Sequence, residues 1–186
     1  MRYFISFLVA LGLLVLVIFL LLHDGGKSSQ PQLTTQNLVD YSNSSNTEAI
    51  MTIDGPINAV SSHQQVRITV SRDNVTFEQL TGYSGDVANM QNFANTQDAY
   101  AAFLKSLAHA GFTDGNNDPK ASDERGYCPL GDRYIFEFNE NGQDLERYWA
   151  TSCGSPKTYL GAFTLTVSLF TAQVPNYSTL TQNISF

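Results

Sequence analysis

The sequence is poor in the residues that carry chemistry. It has two cysteines and three histidines in 186 residues, and the histidines are scattered at His23, His63 and His109. None stands near a candidate nucleophile, and the Gly-x-Ser-x-Gly, His-Glu-x-x-His and Gly-rich phosphate-loop patterns are missing. The recognisable hydrolase, metalloprotease and nucleotide-binding classes are thereby removed. No catalytic residue, metal or cofactor is assigned, and the chain is read as a non-enzyme.

Positive charge is scarce as well. Ten Lys and Arg stand against 17 Asp and Glu, a net charge of −7, which argues against nucleic acid and anionic lipid surfaces as partners because both are bound by basic patches. Charged residues make up only 15% and aromatic residues 12%, the balance of a chain that builds a packed core.

What is present begins with Tyr3 to Leu22, an uncharged run of 20 residues. At about 1.5 Å per residue, a helix of that length matches the ~30 Å hydrocarbon core of a bilayer. It is a membrane span or a signal peptide. Leu20-Leu21-Leu22 runs straight into His23-Asp24-Gly25 without the small residues of a cleavage site, which favours an uncleaved signal-anchor over residues 1–22. Residues 23–47, rich in Ser, Gln, Asn and Thr, read as a flexible linker, with Leu38 to Tyr41 a candidate latch onto the folded domain. That domain, extracytoplasmic and α+β, is expected over residues 48–186.

Two cysteines set the topology. Cys128 and Cys153 flank one hairpin pattern and show no metal-type spacing, so a disulfide and an oxidising compartment are expected. The consistent arrangement is a single-pass cytoplasmic-membrane protein with its N-terminus inside and its domain outside. Closing a loop of about 25 residues is worth roughly 3 kcal/mol in the chain-entropy picture.

Within that hairpin, Arg133 to Phe138 and Leu145 to Thr151 are joined through Asn141-Gly142, a strong turn signal because both residues tolerate positive φ. A two-residue turn would set Tyr134 against Trp149, Phe136 against Arg147 and Glu137 against Glu146. The last is an unfavourable like-charge pair, so a three-residue loop with Gly142 in the left-handed region competes. A second hairpin alternates Val66, Ile68 and Val70 with polar residues, turns at Asp73-Asn74 and returns through Val75 and Phe77, which puts Val70 opposite Phe77.

A helix from Asn95 to Ala110, capped by Asn95 and stopped by Gly111, carries Tyr100, Phe103, Leu104 and Leu107 on one stripe. It is expected to cover one face of an antiparallel sheet of about five strands built from hairpins. Gly82 to Asn92 reads as a loop with a helical turn around Val87 to Gln91. Thr164 to Val174 fits strand and helix periodicity equally, and Pro175 would end a helix there.

Two loops invite functional readings. Asp114 to Asp118 begins like a calcium loop, but Pro119 stands where glycine is needed and Arg125 where a bidentate Glu is needed. The loop Cys128-Pro129-Leu130-Gly131, fixed at its foot by the expected disulfide, is the candidate binding element. The alternative is that the bridge is a staple and nothing more.

Several stretches carry a resemblance: Gly82-Tyr83, Ala99-Tyr100 through Ala110-Gly111-Phe112, Gly126 to Tyr134, Trp149 to Gly154 and Leu169 to Tyr177. Together they resemble a family of uncharacterised bacterial proteins with an N-terminal anchor and a small exported domain. The resemblance implies a place at the cell envelope and a helix over Thr164 to Val174, but no activity; by default the domain is expected to bind an envelope or extracellular protein without catalysing a reaction. The order strand, strand, helix, Cys, hairpin, Cys is also similar to the subtilisin-inhibitor family. That similarity implies Leu130 presented to a serine protease from a Cys128-anchored loop, although the family's second disulfide has no counterpart here.

Overall fold

The computed structural model describes residues 35–184. The expected anchor, Tyr3 to Leu22, and residues 23–34 of the expected linker lie outside them, and among the described residues no helix is long and apolar enough to cross a membrane. The elements are α1 (Thr35–Asp40), β1 (Thr47–Asp54), β2 (Gln64–Ser71), β3 (Asn74–Thr81), β4 (Asp86–Ala94), α2 (Gln97–His109), β5 (Arg133–Glu140), β6 (Gln143–Thr151), α3 (Phe163–Thr171) and α4 (Tyr177–Thr181). The fold is α+β, with one antiparallel sheet in the order β4-β3-β2-β1-β5-β6. β1 is central, with the β2–β3–β4 meander on one side and the β5–β6 hairpin on the other.

Alternation along the strands sorts residues between the two faces. Met51, Ile53, Val66, Ile68, Val70, Phe77, Phe136 and Phe138 are buried on one face, beneath Tyr100, Phe103, Leu104 and Leu107 of α2. Each such side chain contributes about 1.5–3 kcal/mol on burial. Phe170 of α3 meets Phe103 edge-on at 5.2 Å between ring centroids. The other face is partly covered too: Trp149 is fully buried, stacks on Tyr127 at 5.2 Å and donates Nε1–H to the Ala121 carbonyl at 2.7 Å.

Several expectations are corrected. The sheet has six strands, not about five, because Asp86–Ala94 is β4 where a loop with a helical turn was expected. Most of that strand is exposed on both faces, so burial imposes no alternation on its sequence. The fold also begins before Glu48. Leu38 is fully buried and Tyr41 packs edge-on against Phe138 at 5.3 Å, so the latch is made and the described part of the 23–47 segment belongs to the domain.

In the β2–β3 hairpin the turn is Arg72-Asp73, one residue earlier than expected, with Val70 against Val75 and Ile68 against Phe77. The Ser71 hydroxyl explains the shift. It accepts from Asn74 N–H at 3.2 Å and donates to Asn74 C=O at 3.0 Å, closing the loop across those two residues. Asn95, expected to cap the helix, instead donates its side-chain amide to the Ser71 carbonyl at 2.7 Å. Thr96 is the cap, its hydroxyl accepting from Ala99 N–H at 3.2 Å.

The β5–β6 hairpin combines the two turns weighed for it. Asn141 and Gly142 form a two-residue turn with φ of 52° and 75°, pairing Glu140 with Gln143. A bulge then leaves Leu145 unpaired and shifts the register by one. Tyr134 therefore faces Ala150 and Phe136 faces Tyr148. Glu137 meets Arg147, at 3.3 Å, in place of Glu146. The like-charge pair of the unbulged register is exchanged for an ion pair.

The segment Asp114 to Asp118 is a joint between loops. Asp114 C=O accepts from Leu160 N–H at 2.9 Å and Asn116 N–H donates to Thr158 C=O at 2.8 Å. A Cβ at Gly115 would lie 2.1 Å from the Tyr148 ring, so only glycine lets the loop approach so closely. The ambiguous C-terminal stretch is helical, as α3, and the Tyr159 and Thr166 hydroxyls bond at 2.6 Å beneath it.

Burial sets the alkaline limit of this fold. It pushes the phenols of Tyr100, Tyr159 and Tyr177 up from 10.0 to about 12. A raised folded pKa means that the unfolded chain loses these protons first. The stability is therefore intact below pH 10 and lost as pH rises toward about 12. Thermal unfolding at stepped pH should show a level midpoint that falls steeply above pH 10, with Tyr177→Phe softening the fall. A midpoint that declines equally in both proteins contradicts it.

Candidate functional site

The loop Cys128 to Gly131 lies where the hairpin feet converge. Cys128 and Cys153 form the expected disulfide with Cα atoms 5.8 Å apart, and Ser152 and Asp132 close the foot: Ser152 N–H donates to Asp132 C=O and Asp132 N–H to Ser152 Oγ, both at 2.9 Å. Gly131 is enclosed, since a Cβ there would fall 2.4 Å from Ser152 Oγ and 2.7 Å from Cys128 Sγ. Pro129 and Leu130 form the apex. Gly131 N–H donates to Cys128 C=O at 3.1 Å, which makes the apex a tight turn, and Leu130 is 89% exposed.

This apex has company that no local pattern in the sequence announces. The Pro129 carbonyl accepts from Ile57 N–H at 2.8 Å, tying the turn to the loop between β1 and β2. That loop is tied in turn to the β3–β4 loop. The Tyr83 hydroxyl accepts from Asn58 N–H at 3.0 Å and donates to Asn58 C=O at 2.8 Å. Three loops thus hold Ile57, Val60, Tyr83 and Leu130 at one end of the sheet, with exposures of 47%, 65%, 48% and 89%.

A buried charged cluster fixes the β1–β2 loop from below. Arg133, 2% exposed, donates Nε–H to Asp54 Oδ2 at 2.9 Å and an Nη2 proton to Gly55 C=O at 2.7 Å. His63 is fully buried, with Nε2 2.8 Å from Asp54 Oδ1 and Nδ1 3.1 Å from Pro56 C=O, and its ring stacks on Tyr83 at 4.0 Å. Asp54 Oδ1 accepts no well-directed hydrogen bond, so its approach to His63 is a close contact by distance rather than an aligned bond. The carboxylate ends β1, the guanidinium begins β5 and the imidazole sits on the last residue of the β1–β2 loop, so the three converge on the ends of that loop. The only sequence signal was Asp54-Gly55-Pro56 followed by apolar residues inside a loop.

A polar groove of about 190 Å³ runs beside this cluster on the sheet face turned away from the helices, lined by Thr52, Asp54, Gln65, Arg67, Glu124, Ile135, Glu137 and Arg147. Arg147 donates to Glu124 Oε2 at 2.8 Å and to Glu137 Oε1 at 3.3 Å. Burial pushes the Glu137 carboxyl up, and Arg147 opposes that without cancelling it. The groove's ion pairs hold the loop around Glu124 onto the sheet, and no serine, cysteine or histidine lines it. Among the described residues no group of three or more His, Cys, Asp or Glu could hold a metal ion. What the geometry supplies is a displayed apolar surface on a fixed frame. The chain matches no protein-family model, and no curated protein matches it.

Proposed function

We propose that this is a non-catalytic binding module of the cell envelope. The apolar end formed by Ile57, Val60, Tyr83 and Leu130 is its contact surface for an envelope or extracellular protein, and Tyr3 to Leu22 anchors it in the cytoplasmic membrane with the domain outside. One observation carries the reading: three separate loops are cross-tied and underpinned by buried charge while displaying large apolar side chains to solvent. Apolar side chains clustered in this way mark recognition surfaces more often than chance exposure does. The disulfide supports an oxidising side of the membrane.

A second reading, serine-protease inhibition through Leu130, draws support from the exposure of that side chain beside the disulfide. Against it, the Cys128 to Gly131 turn folds the apex back, whereas a protease cleft takes its ligand as an extended strand. The two separate in one experiment on the full-length protein. Leu130→Asp and Val60→Asp should leave thermal unfolding unchanged within about 0.5 kcal/mol, as surface substitutions do, and protease added to intact cells should digest the domain. The unmodified protein should leave a panel of serine proteases active. Tight inhibition lost on Leu130→Asp would install the inhibitor reading, and a domain shielded from protease would remove both.

A further inference from the structure

The two edges of the sheet are finished differently. On the β6 edge the main chain is occupied at Trp149: Thr158 N–H and Tyr159 N–H both donate to Trp149 C=O at 2.9 Å, and Trp149 N–H donates to Thr158 Oγ1 at 2.8 Å. On the β4 edge no described element pairs with the outer side. Hydrogen-bond parity shows which groups are open. Asn95 N–H donates to Asp73 C=O at 3.0 Å, so in the same register Phe93 with Val75 and Gln91 with Phe77 are the hydrogen-bonded pairs. The N–H and C=O groups of Met90, Asn92 and Ala94 therefore point away from β3.

Natural edges are usually blunted by lysine, proline or inward charge. From Val87 to Ala94 this strand has no charged residue and no proline. A bulge opposite Gln79 and Leu80 bends one end and leaves Asn89 to Ala94 in regular register. Val87 and Met90 are 51% and 48% exposed.

We propose that β4 is a self-association edge: two copies of the chain pair β4 antiparallel about a two-fold axis at Met90, continuing the sheet from one copy into the other. The strand's own residues favour a second copy as the occupant. In that register Met90 meets Met90, Asn89 meets Gln91 and Val87 meets Phe93. Asp86, the one charge of β4, falls opposite Ala94. A chain of net charge −7 thus meets itself along a line where no like charges face. The contact is independent of the loop cluster, and it is small, so association is in the weak class.

The axis makes a distance test available. A hydrogen-bonded antiparallel pair holds its Cα atoms about 5.5 Å apart, inside the roughly 4.4–6.8 Å span of a disulfide. In the full-length protein in host membranes, Met90→Cys should give a covalent dimer on mild oxidation. Asn92→Cys, displaced from its twin by four residues, should give little. A Met90→Lys variant in detergent should lose the dimer seen by light scattering while melting like the unmodified protein. Equal cross-linking at both positions, or a monomer in which the Met90 and Asn92 amides resist hydrogen exchange because some other segment covers them, overturns the proposal.

Discussion

Replacing Asp54 by alanine is expected to destabilise the domain by about 3 kcal/mol, at the lower end of what breaking a buried ion pair costs. Arg133 is 2% exposed, so without the carboxylate its guanidinium keeps the Gly55 carbonyl as its remaining hydrogen-bond acceptor. The fully buried His63 loses its carboxylate in the same step. The lower end applies because the Asp54 side chain is 18% exposed at the groove and partly solvated. For a domain of this size the shift in melting midpoint is about 6–12 °C.

The comparison that isolates the mechanism is the double variant Asp54→Ala with Arg133→Met. Removing both charges spares the uncompensated guanidinium, so the pair of changes should cost clearly less than the sum of the two single ones. A loss below about 1 kcal/mol for Asp54→Ala, or additive losses, would show that the cluster does not hold the loop.

Removing the disulfide with Cys128→Ser and Cys153→Ser together is expected to cost about 3 kcal/mol, the loop-closure value for a span of 25 residues. The change is also local. The two hydrogen bonds between Asp132 and Ser152, one main chain to main chain and one to the Ser152 hydroxyl, and the stacking of Tyr127 on Trp149 survive it, so the hairpin should persist while the Leu130 apex loosens. Denaturant titration reads the stability. Hydrogen exchange should quicken at Gly131, whose amide closes the turn, and stay slow along β5 and β6. An unchanged midpoint, or exchange rising across the whole sheet, contradicts a staple acting on this loop.

The helix stripe, the two hairpins and the disulfide were legible because each is written in local periodicity or turn chemistry. Tyr100, Phe103, Leu104 and Leu107 are spaced for one face, and Asn141-Gly142 has the φ that the turn uses. The misplaced details are those settled by single side chains. The Ser71 hydroxyl moved one turn by a residue, and the charge on Arg147 selected a bulge that no periodicity announces. β4 escaped because a strand exposed on both faces carries no apolar alternation.

Most of the candidate site was hidden for a different reason. Leu130 could be nominated from its place beside a cysteine, but Ile57, Val60 and Tyr83 join it only through tertiary contacts, and an apolar residue in a loop gives no sign of its neighbours. Asp54, His63 and Arg133 are likewise brought together by the pairing of β1 with β5 and by the return of the chain into β2.

The decisive measurement places a photo-activated cross-linking residue at position 60 of the full-length protein in intact host cells, with Lys105 on the exposed side of α2 as the control position. The expected result is a discrete adduct with another envelope protein from position 60, lost on Leu130→Asp and absent from position 105. No adduct from position 60, or the same products from both positions, would contradict a role for the loop cluster in recognition.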